Sequence, residues 1–156
     1  MTNNSLGAYV AAAFLLGAGS ALAASTTDTL TVSANVLDVA RIVSVGDLSF
    51  TDYDPTELTT PNDADGSVTV RATKGLNYKI YIGSDRQMTN GVDDLDYELY
   101  ADAGRSAVWG TTSASAETFA STGNAPSAKT IYGRIAAGQD VEAGNYSDTV
   151  TITLEW

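Results

Sequence analysis

Apolar and polar residues alternate one by one at both ends of this sequence, and a two-residue period is typical of a β-strand with one buried face. The N-terminal apolar set is Leu30, Val32, Ala34 and Val36. The C-terminal apolar set is Val150, Ile152, Leu154 and Trp156. Beyond the first 23 residues, no window carries apolar residues at helical spacing, and shorter alternating runs recur between turn signals. The pattern predicts an all-β sandwich.

The shorter runs between the two ends are predicted to be strands as well. They are Val39 to Val45, Leu48 to Phe50, Ser67 to Ala72, Tyr78 to Gly83, Leu95 to Tyr100 and Thr130 to Ile135. The final strand is predicted to run from Tyr146 to Trp156. Residues 51–65 contain two prolines and several carboxylates, and residues 111–127 are rich in Ser, Thr and Ala, so both stretches are predicted to be loops.

The first 23 residues are typical of a signal peptide. A polar start is followed by an apolar run over residues 8–16, and Ala21 and Ala23 form a small-x-small cleavage signature. The run is short for a membrane span, although a buried helix or a retained anchor is the alternative. This leader predicts export from the cytoplasm.

The composition argues against several classes of function. A formal net charge of -11 leaves no excess of cations to bind phosphates, so nucleic acid is not an expected partner. The sequence has neither histidine nor cysteine, which removes the usual general base, nucleophile and metal ligands. We therefore expect no enzyme, no cofactor, no small-molecule substrate and no metal site.

Calcium needs separate consideration because residues 62–66, NDADG, resemble the middle of an EF-hand loop. Pro61 and Ala72 occupy the first and last ligand positions of that motif, so the match fails. A looser calcium site in this stretch is the alternative to a solvated acidic loop. Its candidate ligands are Asp52, Asp54, Asp63 and Asp65.

Five stretches resemble the spore coat protein U domain family, which includes the pilins of archaic chaperone-usher systems. They are TLTVSANVL (29–37), LSFTDYDP (48–55), SVTVRATKGLNYKI (67–80), YELYADAGRSAVWG (97–110) and YGRIAAGQDVEAGNYSDTVTITLEW (132–156). Together they span almost the whole chain after the leader. The last stretch is the most specific, because its Gly-Arg-Ile, Gly-x-Tyr-x-Asp and terminal β-branched segments occur in that order.

The resemblance implies an incomplete immunoglobulin-like β-sandwich that a donor strand from a neighbouring subunit completes. Its expected partners are copies of itself, a periplasmic chaperone and an outer-membrane usher. The predicted domains are a signal peptide at 1–23, a donor strand at 24–37 and a pilin domain at 38–156. The N-terminal set would be the donor side chains, and by analogy the C-terminal set would line the acceptor groove. Family members typically carry a cysteine pair, and the matching positions here are Ala40 and Ala72.

The expected function is therefore a structural subunit of an extracellular pilus or fibre. Alternation does not say whose sheet the first strand joins. The alternative that this strand closes the sandwich of its own chain therefore remains. A spore or cell-surface coat protein is the second class of function. A carbohydrate-binding adhesin is the third class. Its sugar platforms would be aromatic side chains, although aromatic residues in a sandwich are more often packing groups. The candidates are Tyr53, Tyr81, Tyr97, Tyr100, Trp109 and Tyr132.

Overall fold

The computed structural model describes residues 23–156, which form nine β-strands and one short 3-10 helix. The strands are β1 Ala40–Gly46, β2 Asn62–Ala72, β3 Asn77–Gly83, β4 Gln87–Thr89, β5 Asp94–Asp96, β6 Glu98–Tyr100, β7 Glu117–Ala120, β8 Ser127–Ile135 and β9 Thr151–Glu155. The 3-10 helix is Ser113–Ser115. The all-β class predicted from the alternating pattern is confirmed.

Residues 35–156 hold two principal sheets and a small hairpin. The first sheet has the order β1-β2-β8-β6, the second has the order β7-β3-β9, and β4 pairs with β5. All the strand pairs are antiparallel. The core lies between the two sheets, where Val68 and Val70 of β2 and Ile80 and Ile82 of β3 are buried. This is the layered arrangement of an immunoglobulin-like sandwich.

Trp109 links the two sheets through its backbone and its ring. Its amide donates a 2.8 Å hydrogen bond to the Leu99 carbonyl of β6, which lies in the first sheet. Its indole Nε1 donates a 3.3 Å hydrogen bond to the Ile80 carbonyl of β3, which lies in the second sheet. The side chain is 1% exposed, and the Phe119 ring of β7 lies 6.3 Å away, centroid to centroid. Because an indole N–H is a donor only, its partner also fixes the ring's orientation.

Residues 23–34 form no strand or helix, and their side chains are exposed. Residues 1–22, which contain nearly all of the predicted signal peptide, lie outside the described residues. Over residues 23–156, the structure contains no helix that is long and apolar enough to cross a membrane.

Several of the sequence predictions were wrong in extent. Residues 48–50 belong to no strand, and the final strand is shorter than predicted because β9 covers only Thr151–Glu155. The loop predicted at 51–65 ends early, since β2 begins at Asn62. The loop predicted at 111–127 contains β7, which pairs with β3 and packs Phe119 against Tyr78.

Ala40 and Ala72, the positions matched to the family's cysteine pair, are cross-strand partners. They pair directly in the β1–β2 ladder and are 3% and 5% exposed. The neighbouring Thr73 amide donates to the Val39 carbonyl at 2.9 Å, which makes Ala40 and Ala72 a non-hydrogen-bonded pair. Such pairs have Cα atoms about 4.5 Å apart, which is within the range that a disulfide bridges.

This pairing predicts that the double substitution Ala40→Cys and Ala72→Cys forms a disulfide under oxidising conditions. The bridge restricts the unfolded chain, so the free energy of unfolding should rise by about 2 to 4 kcal/mol. Urea unfolding with and without a reductant measures the gain, and Ala40→Cys alone is the control. Equal midpoints in the two conditions for the double variant would show that the register around these residues is wrong.

Candidate functional site

An open groove of about 900 Å³ runs between the two sheets of the 35–156 domain. One wall is the segment 45–53, which follows β1, and the other is the segment 141–152, which leads into β9. Apolar side chains from both sheets and from the β4–β5 hairpin form its floor. They are Ile82, Met88, Leu95, Tyr97, Leu99, Ile131 and Ile135. The groove is therefore a long apolar slot with a peptide segment along each side.

The first wall is held at its two ends. Gly46 pairs with Ser67 at the end of β1. At the other end, the side-chain Nδ2 of Asn62 donates hydrogen bonds to the carbonyls of Thr51 and Asp52 at 2.9 and 3.2 Å. Between these anchors, residues 48–50 make no backbone hydrogen bond within the described part of the chain. Their free N–H and C=O groups can pair with an added strand.

Two glycines allow the side chains of this wall to lie close to the first sheet. A Cβ atom at Gly133 of β8 would lie 2.6 Å from Cδ1 of Leu48 and 3.0 Å from Cζ of Phe50. A Cβ atom at Gly66 of β2 would lie 3.0 Å from Cβ of Leu48. The absent side chains thus leave the space that Leu48 and Phe50 occupy.

The second wall ends at a free sheet edge. Among residues 23–156, β9 pairs only with β3 in the order β7-β3-β9, so its other edge carries backbone groups that no described strand pairs with. β1, at the edge of the first sheet, lies near β9. The groove therefore lies where each of the two sheets could pair with one more β-strand.

A hydrogen-bond network fixes the second wall to the floor. The Tyr97 hydroxyl donates to Oδ2 of Asp148 at 2.5 Å, and the Ser84 hydroxyl donates to the same oxygen at 2.8 Å. Burial and the Asp148 hydrogen bond raise the pKa of Tyr97 to about 12, although the Ser84 hydroxyl opposes this shift. Burial pushes the pKa of Asp148 upward, but the hydrogen bonds from Tyr97 and Ser84 outweigh it and leave that pKa below its usual value.

These pKa shifts predict a stability loss at alkaline pH. The pKa of Tyr97 is raised in the folded state, so its contribution is complete below the unfolded value near 10 and is lost as the pH rises towards 12. The stability difference between wild type and Tyr97→Phe should therefore be constant from neutral pH up to the unfolded value and shrink above it. Urea unfolding across this range tests the sign, and a difference that grows with pH would contradict it.

One cation is buried beside the floor. Arg86 is 8% exposed, and its Nη2 donates to the carbonyls of Ile82 and Trp109, both at 3.1 Å. Its Nε lies 3.3 Å from a carboxylate oxygen of Glu98. A buried charge needs such partners, so Arg86 ties the strand that carries Ile82 to β6 and to the segment that holds Trp109.

The rim of the groove is acidic. Its lining includes four carboxylates and no Lys or Arg. They are Asp47, Asp52, Glu142 and Asp148. An occupant with acidic side chains would be repelled, whereas a neutral or basic segment suits the rim.

The predicted acceptor residues are divided between two places. Val150 and Ile152 line the groove, whereas Leu154 and Trp156 lie in a separate depression of about 540 Å³ beside Tyr78 and Lys79. Their alternating pattern gave no indication of where the groove ends along β9. Trp156 is 60% exposed, so it is not part of the enclosed core.

The N-terminal set is exposed throughout. Leu30, Val32 and Val36 are 87%, 85% and 80% exposed, and Ala34 is exposed as well. Their burial in any sheet, of this chain or of another, stays a prediction.

Most residues of the floor were missed as site residues. Tyr97, Leu99, Ile131 and Ile135 read as ordinary core positions, because alternation identifies a buried face without telling whether a neighbour covers it. The sequence feature that indicates the wall at residues 45–53 is the pair Leu48 and Phe50. These are apolar residues two apart in a segment that continues directly into a turn-rich stretch.

Two of the four carboxylates considered as a loose calcium site form ion pairs with arginines. Arg134 donates to both oxygens of Asp63 at 2.7 and 2.9 Å, and Arg105 donates to Asp65 at 3.0 Å. The Arg134 hydrogen bond is the main reason that the pKa of Asp63 is lowered. Asp63 therefore pairs with Arg134 across the β2–β8 ladder, and Asp65 pairs with Arg105 of the loop that follows β6.

The aromatic residues weighed as sugar platforms are mostly packing groups. Tyr97 and Trp109 are buried in the core. Tyr53, Tyr81, Tyr100 and Tyr132 are half-buried. The Tyr53 hydroxyl donates to the Ala136 carbonyl at 3.1 Å and accepts from the Gln139 amide at 2.8 Å, so its polar end is already occupied.

The two-sheet sandwich and its open groove define an immunoglobulin-like fold. A crystal structure from Acinetobacter baumannii has a similar fold, with a TM-score of 0.54 and 20% identity. It contains the chaperone CsuC and the tip adhesion subunit CsuE, from archaic chaperone-usher Csu pili, in a pre-assembly complex. The match covers 78% of this chain and 40% of that one, so the present chain spans less than half of its length.

The sequence also identifies the family. Residues 26–153 match the Spore Coat Protein U domain, and the chain belongs to that family. A relative from Myxococcus xanthus, Protein U, is 33% identical over 169 aligned positions, which cover 94% of both chains. The resemblance stated from the five sequence stretches is confirmed.

Proposed function

We propose that this protein is a non-enzymatic structural subunit of an extracellular fibre, assembled by donor-strand exchange. A periplasmic chaperone would hold the exported subunit, and an outer-membrane usher would pass it to the growing fibre. Residues 28–36 of one copy would then lie in the groove of the next copy. The observation that carries the proposal is the open apolar groove between a free β9 edge and an unpaired wall at residues 48–50.

The groove suits a strand better than a small molecule. It is bordered by the unpaired backbone of residues 48–50 on one side and by the free edge of β9 on the other, so an inserted strand could form hydrogen bonds along each edge while its alternate side chains reach the floor. A similar fold occurs in a structure that captures a pilus subunit with its chaperone. This fold-level likeness supports the chaperone as a partner and the cell surface as the destination.

The N-terminal segment has the chemistry of an occupant. Its apolar residues alternate and are exposed, and the one charged side chain of residues 28–36 is Asp28 at the very end of the segment, which leaves residues 29–36 uncharged beside the acidic rim. Burying Leu30, Val32 and Val36 at roughly 1.5 to 3 kcal/mol each contributes about 5 to 9 kcal/mol before ordering costs. The backbone hydrogen bonds of the strand add to this gain, which is opposed by the cost of ordering the segment and joining two chains.

Cysteine crosslinking tests the proposal without background, because the natural sequence has no cysteine. In one full-length variant, Ala34→Cys is combined with Phe50→Cys, whose position lines the groove on one wall; in a second, it is combined with Val150→Cys on the other. Oxidised fibres should yield a ladder of covalent multimers on a denaturing gel. The matched control combines Ala34→Cys with Leu58→Cys, an exposed position outside the groove, and should give no ladder.

Two outcomes would contradict exchange between subunits. A disulfide within one chain, seen as a monomer of altered mobility, would assign the strand to its own domain. Absence of any groove crosslink in both variants would exclude the groove as its binding place.

A coat protein of a spore or cell surface is the second candidate. The name of the matched domain and the 33% identity with Protein U favour it. Such a coat could use the same strand and groove in local contacts without long fibres. Electron microscopy of the native cell surface distinguishes the two, since a fibre subunit gives filaments and a coat protein gives a layer. Neighbouring chaperone and usher genes would favour the fibre.

A further inference from the structure

The segment just before β1 is held by one side chain, Thr73. The Thr73 hydroxyl donates a 3.0 Å hydrogen bond to the Leu37 carbonyl and accepts a 3.1 Å hydrogen bond from the Val39 amide. The Thr73 backbone amide donates to the Val39 carbonyl at 2.9 Å. One hydroxyl therefore contacts the chain on both sides of Asp38.

Apolar packing contributes little to the placement of this segment. Val36, Leu37 and Val39 are 80%, 68% and 47% exposed. No other side chain makes a hydrogen bond to residues 35–39 within the described part of the chain. The path of the backbone ahead of β1 thus depends on the hydrogen bonds of Thr73.

Thr73 is itself rigidly placed. It is the first residue of a tight turn, in which the Leu76 amide donates to the Thr73 carbonyl at 3.1 Å and Gly75 has a φ of 84°. Ser121 braces the turn, because it accepts from the Gly75 amide at 2.8 Å and donates to the Leu76 carbonyl at 2.9 Å. The hydroxyl is therefore presented from a fixed support on the domain.

We infer that the Thr73 hydroxyl is a positioning group that fixes the direction in which the N-terminal strand leaves the domain. This inference rests on the proposed function and adds a role to it: in a fibre, residues 35–39 join the domain of one subunit to the strand held by the next. Whatever orients these residues sets the angle between successive subunits. Thr73 acts on that geometry without touching the groove.

Three full-length variants separate this role from a general effect on folding. Thr73→Val keeps the shape and removes the hydroxyl, whereas Thr73→Ser keeps the hydroxyl. Thr69→Val removes the hydroxyl of a half-buried threonine in β2 that makes no side-chain hydrogen bond within the described residues. The two readouts are hydrogen exchange of the Val39 amide and the angle between successive subunits in electron micrographs of fibres.

The Val39 amide should exchange roughly fivefold faster or more in Thr73→Val, as expected for the loss of one hydrogen bond. Thr73→Ser and Thr69→Val should keep the wild-type rate. Fibres of Thr73→Val should show a broader distribution of angles, while the crosslink between Ala34→Cys and the groove cysteines forms as efficiently as in wild type. The serine variant should restore the wild-type angles.

An unchanged Val39 exchange rate in Thr73→Val would overturn the inference, as would wild-type angles in its fibres. Loss of the groove crosslink in this variant would also overturn it, because Thr73 would then act on strand binding. A wild-type chain that forms neither fibres nor crosslinks would overturn the proposed function and the fibre role together. In that case Val39 exchange would still report whether Thr73 holds the segment.

Discussion

Leu30→Asp should abolish assembly while leaving the fold of the subunit intact. The substitution removes a buried aliphatic group worth about 1.5 to 3 kcal/mol and places a carboxylate in an apolar groove with an acidic rim. Together these effects should weaken strand binding by about a thousandfold or more. Fibre yield and binding of a synthetic peptide with the sequence of residues 28–36 measure the loss.

The matched control is Thr31→Asp, which adds the same charge one residue further on. Its side chain points away from the floor if the strand is bound as proposed, so only repulsion from the rim should remain and the loss should stay below about tenfold. Equal losses for the two variants would show that alternate side chains are not buried. Unfolding of the Leu30→Asp subunit would instead show that the strand belongs to its own domain, because an exposed residue tolerates such a change.

Trp109→Ala should be the most destabilising truncation in the domain. It leaves a cavity in the core and removes the indole donor from the Ile80 carbonyl, so we expect a cost of about 3 to 5 kcal/mol. That is a large share of a typical domain's stability of about 5 to 15 kcal/mol. Urea unfolding followed by far-ultraviolet circular dichroism measures the cost.

The chain supplies its own control, because its other tryptophan is Trp156, which is 60% exposed. Trp156→Ala should change the free energy of unfolding by about 0.5 kcal/mol or less. Trp109→Phe keeps most of the apolar volume and should cost less than the alanine variant. If the two alanine variants were equally stable, Trp109 would not be the link between the sheets.

The parts of the fold that were predictable have local signals. β3 was predicted within one residue at its start, since Tyr78, Ile80 and Ile82 all face the core. β8 was predicted too short, because its first residues are small or polar and pair with β2 through backbone hydrogen bonds alone.

The parts that were missed depend on distant partners. The start of β2 reads as an acidic loop, yet Asp63 and Asp65 are stabilised there by Arg134 and Arg105, which lie 71 and 40 residues away in the sequence. β7 was hidden in a Ser- and Thr-rich stretch, and it forms through its pairing with β3 and the packing of Phe119 against Tyr78 and Trp109. Cross-strand contacts of this kind leave no periodic pattern in the sequence.

The same limit applies to the groove. Val150 and Ile152 were predicted as lining residues, but the opposite wall and the end of the groove before Leu154 required the structure. Residues 48–50 have the composition of a strand and lack only a partner. The sequence of these residues cannot show that no strand pairs with them.

The apolar lining of the groove also has a thermal consequence. Filling it would remove apolar surface from water, so insertion of a strand as proposed would carry a negative heat-capacity change. The contact between subunits should therefore lose strength on cooling, although its backbone hydrogen bonds remain. A fibre joined in this way would be held most firmly at warm temperatures, and its joints would be weaker in the cold.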